Sequence, residues 1–205
     1  ADWLEANPST HLGDVSYSLL NGRDTFEYQR TIAAESAVEA ARTLRDGNPR
    51  RVFNHTADVT DPSMVFLLPG GGAQYFQMGQ DLYAKSDVFK QHIDAGLEWL
   101  RSNRQLDLSP IFHADEASRD PVTAELDRPS IQLPLTFIVE YATAKMWEQL
   151  GVVPDALIGH SMGENTAACL AGVLTFEATL GLIHLRGELF ETCLLYTSDA
   201  ADEVS

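Results

Sequence analysis

Pro154-Asp155-Ala156-Leu157-Ile158-Gly159-His160-Ser161-Met162-Gly163-Glu164-Asn165-Thr166-Ala167-Ala168-Cys169-Leu170 is the stretch that decides the fold. Ala156 to Ile158 is a short apolar run behind a Pro-Asp pair, the pattern of a buried strand. Glu164 to Leu170 reads as a helix that reaches Gly172. Between them, Gly159-His160-Ser161-Met162-Gly163 puts a serine on a sharp strand-to-helix turn with a glycine on either side. Such a junction exposes the hydroxyl and aims backbone N–H groups at the space beside it. A nucleophilic serine needs both, access to a carbonyl and donors for the oxyanion that forms on attack. The bare pentapeptide is a weak signal. The strand before it and the helix after it give it weight.

Composition bounds the rest. The chain has 205 residues, enough for one domain or one and a half, each with a real core. A formal net charge of −16 argues against a nucleic-acid binder, which needs a basic stripe. No apolar run approaches the ~20 residues that span a bilayer, and no signal peptide opens the sequence, so neither a membrane nor an export route is expected. Two cysteines, Cys169 and Cys193, give neither a disulfide framework nor metal-ligand spacing. No metal site is expected, Cys169 reads as a small packing residue, and the expected setting is the reducing cytoplasm.

Residues 1–60 read as a small α/β module. Ser9 or Thr10 caps a helix through Leu12, Val15 and Leu19 that Gly22 stops, and Glu27 to Ala34 forms a strand. Ser36-Ala37-Val38-Glu39 is a capping box that opens a second helix, ended by Gly47 and Pro49, and Arg51 to His55 is another strand. Ser63 to Leu68 then reads as a buried strand running into Pro69-Gly70-Gly71-Gly72-Ala73-Gln74. Three glycines there serve either a tight strand-to-helix turn or the close approach of backbone to a ligand or to another chain segment. Helices follow over Gln77 to Tyr83 and Asp87 to Arg101, and the polar stretch from Asn103 to Arg128 reads as surface loops. A long amphipathic helix from Ile131 to Leu150 leads to the elbow strand, and a last helix, capped by Thr175, passes through Arg186.

Arg186 stands out. Leu182 and Ile183 lie one turn before it, Leu189 and Phe190 one turn after, and no acid sits three or four positions away. A charge in an apolar stripe needs a partner, because an unpaired buried charge is costly. Either it snorkels to solvent or meets an acid from elsewhere in the fold, or its partner is a substrate carboxylate held by two parallel hydrogen bonds.

Together these elements resemble the acyltransferase domain of modular type I polyketide synthases, related to malonyl-CoA:acyl-carrier-protein transacylases. Pro69-Gly70-Gly71-Gly72-Ala73-Gln74 sits at the family's Pro-Gly-Gln-Gly-x-Gln loop, and His160-Ser161-Met162-Gly163-Glu164 matches its Gly-His-Ser-x-Gly-Glu elbow. Arg186-Gly187 matches its Arg-Gly, 25 positions past the serine. Residues 1–60 look like the linker between a ketosynthase and this acyltransferase. The resemblance implies Ser161 as nucleophile, the Met162 N–H as an oxyanion donor, Arg186 as the clamp on the free carboxylate of a malonyl-type group, and His160 as a lining residue. Gly71 departs from the pattern, since the family's glutamine there helps form the oxyanion hole. Backbone N–H groups of the Gly70 to Gly72 loop, or Gln74, would have to serve instead. The implied reaction is ping-pong transfer from coenzyme A to the phosphopantetheine of an acyl carrier protein, with no bound cofactor.

The fold expected is therefore an α/β linker module over 1–60, then over 61–192 the N-terminal part of an α/β-hydrolase-like acyltransferase core with a parallel sheet. The family's general base is a histidine well downstream of the serine, whereas 44 residues follow Ser161 here. His11, His55, His92 and His113 lie before the elbow, His160 adjoins the serine, and His184 lies on another side of the Arg186 helix. The polypeptide as written is expected to be an inactive fragment with marginal stability. Residues 193–205 resemble a translated sequencing adapter, and the alternative is a disordered acidic tail. Two rival readings remain. A serine hydrolase or thioesterase of α/β-hydrolase type shares the pentapeptide but does not call for Glu164, the glycine loop or Arg186, and a non-catalytic docking fragment would need none of them.

Overall fold

The chain divides at Pro62 into two units, Ala1–Pro62 and Ser63–Ser205, in a computed structural model that describes residues 1–57 and 62–202, with side chains through Cys193. The first unit runs α1 (Asp2–Ala6), α2 (Leu12–Asn21), β1 (Tyr28–Ile32), α3 (Ala37–Asp46) and β2 (Val52–Thr56). β1 and β2 pair antiparallel, from Tyr28 opposite Thr56 to Ile32 opposite Val52. Ser36 caps α3 by accepting the Glu39 N–H at 3.2 Å, while the Glu39 carboxylate reaches back one residue further than a capping box requires, to the Glu35 N–H at 2.9 Å. Ala37, Ala40 and Ala41 of α3 bury against Leu4 of α1, with Leu12, Val15 and Ile32 around them. Arg45 of α3 pairs with Asp2 and Glu5 of α1 on the outside.

One expectation fails here, and one element is additional. Neither Ser9 nor Thr10 caps α2. The Thr10 N–H closes a turn onto the Asn7 carbonyl at 3.1 Å, which leaves His11 as the extended residue before the helix, with no side-chain cap. The helix α1 was not anticipated, being five residues long with one buried position, Leu4.

The second unit begins with β3 (Val65–Leu68), then α4 (Gln80–Lys85), α5 (Asp87–Arg104), α6 (Ser109–Phe112), a 3₁₀ turn at Glu116–Ser118 and α7 (Arg119–Leu126). α8 (Pro129–Gln149), β4 (Ala156–Gly159), α9 (Gly163–Leu170) and α10 (Phe176–Asp202) complete it. β3 and β4 pair in parallel, Val65 beside Ala156 and Leu68 beside Gly159. Asp155 sets that register at its open end. Its N–H donates to the Met64 carbonyl at 2.8 Å, and its carboxylate takes the Met64 N–H at 2.7 Å. The mixed α/β architecture with a parallel sheet is thus present, and helices make up most of it.

α8 is the axis of this unit. Every residue from Ile131 to Glu140 except Gln132 is buried, with α5 and α10 packed along it. It is enclosed and not amphipathic over that span, because neighbours cover it on more than one side. Phe137 stacks on Phe176 at 5.4 Å, and Phe89, Ile93 and Leu100 of α5 are fully buried in the same cluster. Residues 103–128 are also not loops. Leu108 and Phe112, one turn apart, and Leu126 are buried, so a few well-spaced apolar residues hold short helices to the core despite polar surroundings. Asp115 caps the 3₁₀ turn by accepting the Ser118 N–H at 3.1 Å. The strands depart from expectation in the other direction. They read as buried, yet Leu67 is 72% exposed and Ile158 57% exposed, because one face of the two-stranded sheet carries no covering layer.

The tail read as artefactual begins inside α10. Its backbone continues that helix to Asp202, and residues 203–205 lie outside the described residues.

Candidate active site

The parallel pair ends with Leu68 and Gly159 side by side, so the loops that leave both strands meet. The His160 N–H extends the ladder by donating to the Leu68 carbonyl at 2.9 Å. The backbone then turns sharply. Ser161 has φ +53, one of three non-glycine residues at positive φ among those described. A side chain is rarely held there without cause, since the left-handed region crowds a Cβ. The turn closes with the Gly163 N–H on the His160 carbonyl at 2.9 Å. Gly163 must be glycine, because a Cβ there would overlap the Leu68 and Pro69 carbonyl oxygens. Ser161 is exposed, while Met162 beside it is buried in the core and anchors the turn from below.

The Met162 N–H makes no hydrogen bond among the described residues, and neither do those of Gly70 and Gly71. Gly70 stands close to the serine, for a Cβ on it would lie 3.0 Å from Ser161 Cβ and 2.8 Å from the His160 carbonyl oxygen. Gln74 acts on the loop and not on the space beside Ser161. Its Oε1 accepts the Gly72 N–H at 2.9 Å, which removes that N–H from the free donors. Gly71 faces the first turn of α8, where Gln132 and Leu133 meet it. Ser161, Met162, His160 and the glycine loop are therefore brought together.

Arg186 arrives on α10, which packs against both α8 and α9. It is half-buried, its guanidinium lies 5.9 Å from the Phe190 ring centroid, and it forms no ion pair or hydrogen bond with any described residue. His184, on the same helix, is buried and pairs with Glu188 at 3.6 Å. His92 packs edge-on to Tyr141 and His113 to Tyr83, and burial holds the His92 imidazole below its usual range. No described histidine hydrogen-bonds to Ser161. No cluster of His, Cys, Asp or Glu among the described residues could hold a metal, and no helix there is long and apolar enough to cross a membrane.

Three supporting groups escaped the sequence reading. Glu140 of α8 is buried in an apolar run and accepts the Thr166 hydroxyl of α9 at 2.5 Å, tying the central helix to the one that follows Ser161. Burial pushes its carboxyl up to about 7, against the pull of that hydrogen bond. An acid inside Phe137-Ile138-Val139-Glu140 was the available signal. Glu191 of α10 accepts both the Ser130 N–H at 2.9 Å and its hydroxyl at 2.5 Å, and Arg128 lies 3.5 Å away. Burial raises the Glu191 carboxyl, but the two Ser130 bonds and Arg128 outweigh it and hold it below the usual range. α8 has no cap of its own, so Glu191 caps it from another helix. The third is Gln132. A groove of about 720 Å³ lies apart from Ser161, between β3 and α8, lined by Phe66, Leu68, Thr136, Glu140 and Trp147.

Residues 65–201 match the family model described as acyl transferase domain, and residues 1–44 match one described as CurL-like, PKS C-terminal. Among curated proteins, orsellinic acid synthase armB of Armillaria mellea is 32% identical over 195 residues, which is 94% of this chain and 8% of that protein. The solved acyl transferase domain of ZmaA superposes with a TM-score of 0.80 at 34% identity, over 93% of this chain and 44% of the other. That of SpnD, solved in complex with 2-(pent-4-yn-1-yl)malonyl, gives 0.75 at 35%, over 92% and 43%. The chain thus spans less than a tenth of that synthase and less than half of either solved domain.

Proposed function

The chain belongs to the acyl transferase domain family of polyketide synthases, and we propose that it carries a malonyl-type acyl group from coenzyme A to an acyl carrier protein through an ester on Ser161. The observation that carries this reading is the exposed Ser161 at φ +53, beside the unbonded Met162 N–H. Its Oγ attacks the thioester carbonyl, and the oxyanion that forms draws on the Met162 N–H and on those of Gly70 and Gly71. Collapse breaks the C–S bond and releases coenzyme A as the thiol, with the proton that leaves the serine. The phosphopantetheine thiol of the carrier then attacks the ester, and the serine regains a proton as the new thioester leaves.

Arg186, with no described ion-pair partner, meets the free carboxylate of the acyl group. An acetyl group would leave that guanidinium unpaired, which disfavours it. His160 lines the site, and since no described histidine hydrogen-bonds to Ser161, acylation by the 205-residue chain is expected to be slow. Residues 1–60 are assigned as the ketosynthase–acyltransferase linker, in keeping with the match over 1–44.

Intact-mass spectrometry after incubation with malonyl-CoA or acetyl-CoA tests this, on the chain and on a longer one carrying its native downstream sequence. A malonyl adduct lost in Ser161→Ala, with malonyl-over-acetyl preference lost in Arg186→Ala, is the expected result. A longer chain that takes no acyl group yet hydrolyses simple esters would make the protein a hydrolase.

A further inference from the structure

We propose that Gln132 is a positioning residue that stands in, from the first turn of α8, for the side chain that residue 71 lacks. The inference rests on the acyl-transfer reading and adds a residue to it. A Cβ on Gly71 would lie 3.2 Å from Gln132 Oε1, 3.7 Å from its Cδ and 3.3 Å from Leu133 Cδ2. The volume that a side chain at 71 would enter is already held by the head of Gln132. Gly70, the preceding residue, approaches Ser161 instead, at 3.0 Å from Cβ to Cβ were it to carry one. The loop is therefore a single strand of backbone between the serine and α8, with Gln132 on its far side.

Gln132 is half-buried and its carboxamide makes no hydrogen bond within the described residues. Such a group offers two donors and an acceptor beside a loop whose Gly70 and Gly71 N–H groups are free. Gln74 holds the loop from one end through the Gly72 N–H, and on this proposal Gln132 braces the other by packing its head beside Gly71. The brace has a fixed base, since Glu191 holds Ser130 two residues earlier by both its N–H and its hydroxyl. Fixing the loop matters because, on the acyl-transfer reading, its free N–H groups serve the oxyanion, and a donor moved by about 1 Å can lose on the order of a hundredfold in rate.

Exchanging the two residues tests the proposal, with Gly71→Gln, Gln132→Gly and the double variant compared in the full chain and in its native-extended form. Initial rates of Ser161 malonylation are expected to fall about tenfold in each single variant and to recover to within about threefold in the double, with KM for malonyl-CoA moving less. Gly71→Gln is expected to lower Tm by about 5 °C in the natural background, and by under about 1 °C where Gln132 is glycine, since only the former crowds two heads into one volume. Additive effects on Tm would overturn the proposal. So would coupled Tm shifts with a double variant as slow as the singles, which would reduce Gln132 to packing. If neither form takes any acyl group, the acyl-transfer reading fails on its own account, while the Tm comparison still decides whether residues 71 and 132 share one space.

Discussion

α8 and the β3–β4 pair are comparably apolar in sequence, yet one is enclosed from Ile131 to Glu140 and the other leaves Leu67 and Ile158 in solvent. The difference lies in how many neighbours each element has. A helix of 21 residues packs against α5 on one side and α10 on another, and buries side chains at nearly every position over three turns. A strand points alternate side chains to opposite faces and needs a layer on each. Here α9 packs against the strands while Leu67 and Ile158 on the opposite face stay exposed, so apolar content does not translate into burial. The elbow is accordingly held from below, by Met162, Thr166 and Cys169 in the helical core, and burial pushes the Cys169 thiol up as expected for a packing residue.

The largest expected effect contrasts the two regions directly. Phe137→Ala should cost about 3–5 kcal/mol in urea unfolding, whereas Leu67→Ala should cost less than about 0.5 kcal/mol. Equal losses would mean that the open sheet face is covered in solution, and the contrast would collapse. Next comes the acid inside the enclosed helix. With its folded pKa near 7 against an ordinary 4.5, Glu140 carries its proton in both states at low pH and costs nothing. As pH rises from 4.5 towards 7 the unfolded chain ionises first, so stability is lost across that window, by roughly 3 kcal/mol at most. Glu140→Gln keeps an acceptor for Thr166 and cannot ionise. It should be the more stable protein above about pH 7 and equal to the natural one near pH 4, as unfolding curves at the two pH values would register.

Smaller effects sharpen the account of how the helices are tied. Ser130→Ala removes the hydroxyl bond to the Glu191 carboxylate and should destabilise by about 1.5 kcal/mol. Ser36→Ala, in the first unit, removes an ordinary cap and should lose about 1 kcal/mol of helix stability. If Ser130→Ala proved the milder of the two, the cap that Glu191 supplies from α10 would be weaker than its geometry implies.

Much of this was legible in the sequence where a local rule decides the outcome. Ser36 and Gly47 bound α3, Thr175 caps α10, and the run from Ala156 to Gly163 makes strand, turn and helix, because each depends on residues within a few positions. What escaped depends on residues far apart. Whether Leu67 is covered, whether Leu108 and Phe112 find a core, and which helix caps α8 are settled by neighbours that no local pattern contains. The same holds at the serine. Gly71 stood out as a departure, but its counterpart Gln132 lies 61 positions on and meets it only through the packing of α8. Arg186 could be marked as a charge lacking a local acid, while its surroundings depended on where α10 came to rest.

The central claim is that the acyl group rides on Ser161, and peptide mapping after malonyl-CoA treatment tests it most directly. The account predicts a malonyl ester on the peptide that contains Ser161, in the chain or in its native-extended form, and none in Ser161→Ala. An adduct that persists in Ser161→Ala, or that maps to Cys193 or another residue, would contradict it.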